Sequence, residues 1–166
     1  MNDKKTEEAK THFLEFLSHM EKGEIDEAEK QILAAYEILP ERPSIVTNLL
    51  AISVEKENYK FAADVFERFN KNNDTDEIND YCYAISLSHT NRFGESQNFI
   101  QENMAEITNS PSLYKLIGDN YFYMGDFENS LKYFQMSKDL LGDSRDDPLN
   151  DKLARLEHWE GILDFR

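Results

Sequence analysis

Cysteine occurs once in this chain of 166 residues, at Cys82. A single thiol excludes an internal disulfide and any zinc site built from several cysteines, and it suits a reducing compartment, so a cytoplasmic location is expected. Basic residues are scarce as well: 18 Lys and Arg stand against 33 Asp and Glu, for a formal net charge of -15. Such a surface repels phosphate backbones and anionic lipid, and no basic stripe offsets it, so nucleic acid is not expected as a partner. No apolar run approaches the ~20 residues that a membrane-spanning helix needs, and membrane insertion is not expected. The opening MNDKKTEEAKTHF carries lysines but no apolar stretch behind them, unlike a secretory signal. Only four prolines and six glycines interrupt the chain. With 40% hydrophobic and 12% aromatic residues it is too rich for a disordered acidic tail. A soluble, mostly helical fold follows.

What the chain does have is a pattern that recurs. MGDFENSLKYF, starting at 124, aligns with TNRFGESQNFI at 90, KENYKFAADVF at 56 and KGEIDEAEKQI at 22, a constant spacing of 34 residues without insertion. A turn residue falls at Gly23, Glu57, Asn91 and Gly125, and an apolar residue follows two later at Ile25, Tyr59, Phe93 and Phe127. Small residues come next at Ala28, Ala62, Ser96 and Ser130, then bulky ones at Ile32, Phe66, Ile100 and Phe134. A small residue lets a neighbouring helix approach closely, and the bulky one a turn later packs over that contact, which is what antiparallel helix pairs require. Breaks at LPERP (39 to 43), NNDTD (72 to 76) and TNSP (108 to 111) combine proline with capping side chains. The spacing predicts helices near 8–22, 25–38, 44–56, 59–71, 77–90, 93–106, 111–124 and 127–141.

The 34-residue period and these residues resemble the tetratricopeptide repeat family. The fourth copy is the fullest match, with Gly118, Tyr121, Gly125, Phe127 and Phe134 where that family favours Gly, Tyr, Gly, an aromatic and Phe. The close-packing glycine is Phe16, Leu50 and Ala84 in the first three copies. The resemblance implies an all-α solenoid of helical hairpins, a right-handed superhelix with four repeats at about 9–42, 43–76, 77–110 and 111–144, within residues 1–144. After it, LNDKLARLEHWEGILDF places Leu149, Leu153, Leu156, Trp159, Ile162 and Leu163 at helical spacing out of the repeat frame. Residues 145–166 are expected to form a C-terminal capping helix that closes the open end, with Trp159 as its plug.

In this family the first helix of each repeat lines a concave groove. The resemblance therefore implies contacts from Phe13, Leu17, Met20, Ala51, Tyr81, Ile85, His89, Lys115 and Phe122, an apolar groove suited to an extended or helical polypeptide. The family's co-chaperone branch grips a terminal carboxylate from places occupied here by Phe13, Leu17, Asn48, Ile78 and Cys82, so only the asparagine is kept and no carboxylate clamp is expected. The same apolar surface leaves a homodimer, or cover by the chain's own ends, open as alternatives. Within the stretch YFYMGDF, Tyr121 is expected in the core, Phe122 towards the groove and Tyr123 at the boundary with the neighbouring repeat.

Other constellations carry less. His12, Glu15 and His19 sit three and four residues apart, within reach of one metal ion, but the outermost helix tolerates polar residues on a solvated face, and no metal is expected. Cys82 and His89 share a stripe, yet two helical turns separate their backbones by about 10 Å, too far for a thiolate–imidazole pair. No Gly-rich phosphate loop or nucleophile elbow occurs, so no catalytic residue and no cofactor is assigned. The expected function is a non-catalytic adaptor or scaffold that binds a protein or peptide. A bacterial secretion chaperone for apolar substrates is one alternative. A recruiting module of a larger enzyme, such as a glycosyltransferase or methyltransferase, is another.

Overall fold

The computed structural model describes residues 2–142. The segment expected to cap the array, with Trp159, lies outside the described residues. Eight helices and no strand make up the described chain: α1 (Asn2–Glu21), α2 (Ile25–Ile38), α3 (Pro43–Glu55), α4 (Tyr59–Asn70), α5 (Glu77–His89), α6 (Phe93–Asn103), α7 (Pro111–Tyr123) and α8 (Phe127–Leu141).

Two ends depart from expectation. The first helix begins at Asn2 rather than near residue 8, because the strong helix formers of KKTEEAK carry no breaker and Asp3 sits favourably in the first turn. The sixth ends at Asn103 rather than 106: the chain leaves the helix there and buries Met104 against Ile100 and Leu113 in the core. Two of the three breaks carry the expected side-chain caps; at LPERP the residue before α3 is Arg42, with no side-chain cap. Asp76 accepts from the Asn79 amide at 2.8 Å, and Ser110 accepts from the Leu113 amide at 3.2 Å with Pro111 opening α7.

Successive helices pack as α1 on α2, α3 on α4, α5 on α6 and α7 on α8, and each of these pairs is joined by the same turn. Gly23, Glu57, Asn91 and Gly125 all take the left-handed conformation, with φ of 73°, 60°, 63° and 83°. At each, the turn residue's amide bonds to the carbonyl three residues back and the next amide bonds to the carbonyl five back. Gly23 donates to Met20 and Glu24 to His19; Glu57 to Val54 and Asn58 to Ser53; Asn91 to Ser88 and Arg92 to Leu87; Gly125 to Phe122 and Asp126 to Tyr121. These are the paired bonds of a Schellman closure, which satisfies carbonyls the helix end would otherwise leave open. The following residue then starts the next helix, so one short turn reverses the chain.

The small residue after each turn is fully buried at Ala28, Ala62 and Ser96, and nearly so at Ser130. Its identity follows the residue it faces. Across the third and fourth pairs, where the facing position is Ala84 or Gly118, the serine hydroxyl donates to that residue's backbone carbonyl at 2.7 and 2.8 Å. Where the facing position is Phe16 or Leu50, alanine takes its place. At Gly118 the approach is closest: a Cβ there would lie 2.6 Å from the Phe134 ring.

Burial divides into two clusters. One gathers Phe13, Phe16, Ile32, Ile45, Leu49, Leu50, Phe66 and Phe69 from α1 to α4, and the other joins Ala84, Ile100, Leu113, Leu116 and Ile117 from α5 to α7. Phe99 packs against both. Tyr83 fastens this middle: it stacks on Phe66 at 4.1 Å, meets Phe99 edge-on at 4.9 Å and donates to Glu67 Oε1 at 2.9 Å. Arg92 joins the same carboxylate at 3.2 Å and Glu95 at 2.6 Å, so α4, α5 and α6 are held together by one polar junction.

Candidate binding face

The helices that open each pair, α1, α3, α5 and α7, carry the candidate groove residues, and α5 packs beside both α3 and α7. Along this row the side chains differ greatly in how much surface they offer. Leu17 and Met20 are half-buried with one side against the first cluster, and Tyr81 and Ile85 are half-buried against the second. Lys115 is half-buried and Phe122 is 48% exposed. These six offer accessible surface.

The other three differ. Phe13 is wholly buried beside Phe16, with ring centroids 6.1 Å apart, so it is a core residue and has no surface for a ligand. The long α1 folds it inward because its face, with Ala9 and Phe16, is the one α2 covers. Ala51 is 7% exposed, in a run from Ser44 to Ser53 in which every residue is buried, because α3 is packed by α2, α4 and α5. His89 is exposed, but its ring stacks on Tyr59 of α4 at 4.2 Å and its Nδ1 lies 3.0 Å from the Ile85 carbonyl. That places it at the junction between one helix pair and the next, away from Cys82, which is buried. Burial pushes the Cys82 thiol up to about 12, so it stays protonated.

The His89–Tyr59 stack has a counterpart one unit on, where Tyr123 stacks on Phe93 at 4.8 Å. Both pairs are 30 residues apart, an aromatic opening one second helix and a ring closing the next first helix. The sequence held this signal, but only a comparison across adjacent units reveals it. Of the neighbouring aromatics, Tyr121 is half-buried and stacks on Tyr133 at 5.7 Å, and Phe122 meets Phe127 edge-on at 5.5 Å.

Buried polar groups line the middle of the row. Thr47 Oγ1 donates to Asn79 Oδ1 at 2.8 Å, and Asn48 Nδ2 donates to the Ser44 carbonyl at 2.7 Å. Asn48 thus serves its own helix. The histidines of α1 do not converge: His12 Nδ1 lies 2.7 Å from Gln31 Oε1, and His19 Nδ1 2.6 Å from Glu24 Oε2. Among the described residues, no group of three or more His, Cys, Asp or Glu is placed to hold a metal ion, and no helix is long and apolar enough to cross a membrane.

Solved structures share this arrangement of helices. Residues 41 to the end of MamA from Desulfovibrio magneticus RS-1 superpose with a TM-score of 0.70 at 16% identity, over 94% of this chain and 93% of that one. MamA of strain AMB-1 gives 0.66 at 18% identity, over 75% of this chain and 74% of that one. MamA of strain MSR-1 gives 0.65 at 18% identity, over 75% and 72%. The fold is of the tetratricopeptide type. At this identity the likeness speaks for the fold and not for a shared ligand. No protein-family model matches the chain, and neither does any curated protein.

Proposed function

We propose that this chain is a non-catalytic interaction scaffold that binds a polypeptide segment along the row formed by α1, α3, α5 and α7. The observation that carries the reading is the series of partly open apolar side chains on α1, α5 and α7, Leu17, Met20, Tyr81, Ile85 and Phe122, with Lys115 among them. Apolar anchors spaced along parallel helices suit an extended or helical ligand. The family's usual division into 34-residue units supports the same geometry, as does the identical turn at each hairpin. Phe13, Ala51 and His89 drop out of the contact set for the reasons of burial and stacking given above.

The non-catalytic part of the proposal is supported by the state of the reactive groups. The one thiol is buried and protonated, and His12, His19 and His89 are engaged with Gln31, Glu24 and Tyr59 respectively. A buried reduced thiol also agrees with a cytoplasmic setting. The test is capture of partners from native lysate by the intact chain beside a Lys115→Glu/Phe122→Ala variant, with circular dichroism confirming that the variant is folded. Partners retained by the intact chain and lost by the variant are expected. Identical retention by both baits would remove this row of helices as the working surface.

A further inference from the structure

The connection between the first two helix pairs breaks a rule that the next two keep. The residue just before the opening helix of a pair falls at Arg42, Asp76 and Ser110, one place in the 34-residue frame. Asp76 and Ser110 accept from the Asn79 and Leu113 amides and so cap α5 and α7. Arg42 provides no side-chain cap and sets a cation at the positive end of α3. An acceptor stabilises this place and a positive charge opposes the helix dipole, so folding alone gives no reason for arginine here. A second cation is also out of pattern. Arg68 lies in the last turn of α4, and its counterparts in the frame are Ala34, Glu102 and Met136. The last turns of α2 and α6 hold no basic residue. Although the chain is rich in acids, Arg68 forms no ion pair among the described residues.

Both arginines line one cavity of about 780 Å³, between the α2–α3 connection and the end of α4. That volume lies within the range of small-molecule sites. Tyr36, Leu39 and Phe69 form much of its apolar wall, and all three belong to or pack against the first core cluster, which holds the wall in place. Pro40 and Pro43 restrict the connecting backbone on either side of Arg42. Glu37 and Glu41, both exposed, share the lining. Their carboxylates balance the two guanidinium groups, so a single negative charge is favoured, whereas a dianion would meet the same two carboxylates with its second charge.

We propose that this cavity binds a small organic monocarboxylate with an aromatic or alkyl body. Arg42 and Arg68 take the carboxylate, for which guanidinium is the best-matched donor, and the apolar wall takes the body. The bound anion also offsets the conflict between Arg42 and the start of α3. A local rule is broken where a ligand restores the balance, as happens at functional sites. The inference goes beyond the peptide-binding reading and does not depend on it, because none of the side chains that carry that reading lines the cavity.

The test is titration of the 166-residue protein with hydrocinnamate at low salt, followed by amide NMR. Saturable shifts centred on residues 36–43 and 68–69 are expected, with a Kd on the order of millimolar. Hydrocinnamamide, the same body without the charge, should bind about tenfold more weakly, and Arg68→Gln should weaken hydrocinnamate by a similar factor. Arg42→Ser separates binding from folding. It installs the residue type that caps α7, so its melting temperature should equal or exceed the parent's while affinity for hydrocinnamate falls about tenfold. Phenyl phosphate should bind no more tightly than hydrocinnamate. No saturable shift over the millimolar range, equal affinity for the amide, or binding unchanged in both arginine variants would overturn the proposal. Shifts centred on Tyr81 and Ile85 would place the ligand in the candidate groove, and tighter binding of phenyl phosphate would make this a site for dianions. Either of these last results also refutes it.

Discussion

Gly118 offers the sharpest test of how the helix pairs are packed, because the frame supplies its own control. A Cβ at this position would meet the Phe134 ring at 2.6 Å, well inside van der Waals contact. Gly118→Ala therefore forces the ring or the helices apart, at a cost of about 1–3 kcal/mol for overpacking. Against that, alanine in a helix interior is favoured over glycine by about 1 kcal/mol. The two effects differ in sign, and the steric one should win by about 1 kcal/mol, which lowers the melting temperature of a chain this size by ~2–4 °C. In the preceding pair the same two places hold Ala84 and Ile100, both buried and accommodated. Combining Gly118→Ala with Phe134→Ile reproduces that pairing. The double variant should therefore be more stable than the sum of the single losses, with a favourable coupling of about 1–2 kcal/mol in a urea-denaturation cycle. If Gly118→Ala alone raises stability by about 1 kcal/mol, the propensity term is acting without a clash and the close approach is wrong. Additivity within ~0.5 kcal/mol would equally refute the contact.

Glu57 holds the left-handed turn that Gly23 and Gly125 hold in their own pairs. Relief of about 1–2 kcal/mol of strain outweighs the added freedom of the unfolded chain, about 0.4–1 kcal/mol, so Glu57→Gly should raise the melting temperature, as read by calorimetry. Ser96 donates to the Ala84 carbonyl and accepts from Asn120 Nδ2 at 2.9 Å, while Ser130, among the described residues, bonds only to the Gly118 carbonyl at 2.8 Å. Ser96→Ala strands a buried amide and should cost about 1–3 kcal/mol in urea denaturation, against about 1 kcal/mol for Ser130→Ala. Cys82 and Tyr83 are both pushed up to about 12, the first by burial and the second by burial and then by its bond to Glu67, from ordinary values of 9.0 and 10.0. Both groups ionise sooner in the unfolded chain, so their contribution is complete below about pH 9 and is lost as pH rises towards 12. Thermal melts should therefore hold level to about pH 9 and fall above it, with Cys82→Ala and Tyr83→Phe flattening the decline. A native-state thiol that reacts with an alkylating reagent at pH 8 as fast as it does in urea would contradict the burial.

The sequence by itself determined where the chain turns. Turn, small and bulky residues at a constant spacing are local requirements of a reversed helix pair, met by residues a few places apart. The turns at Gly23, Glu57, Asn91 and Gly125 were therefore legible even where the glycine was missing, since a left-handed residue is demanded by the bonds closing the helix end. The surface was legible only in part. Leu17, Met20, Tyr81, Ile85, Lys115 and Phe122 retain accessible surface, but Phe13, Ala51 and His89 were decided by contacts between helices. A place in a repeat fixes the direction of a side chain relative to its own helix. How deeply it is buried depends on what the neighbouring pair presents, and that is long-range: α3 sits inside its neighbours and loses its groove face to them, while α8 ends the described chain, and among the described residues Phe127 and Leu131 on it stay exposed. Exposure is a property of the assembled array, and only the tertiary structure assigns it.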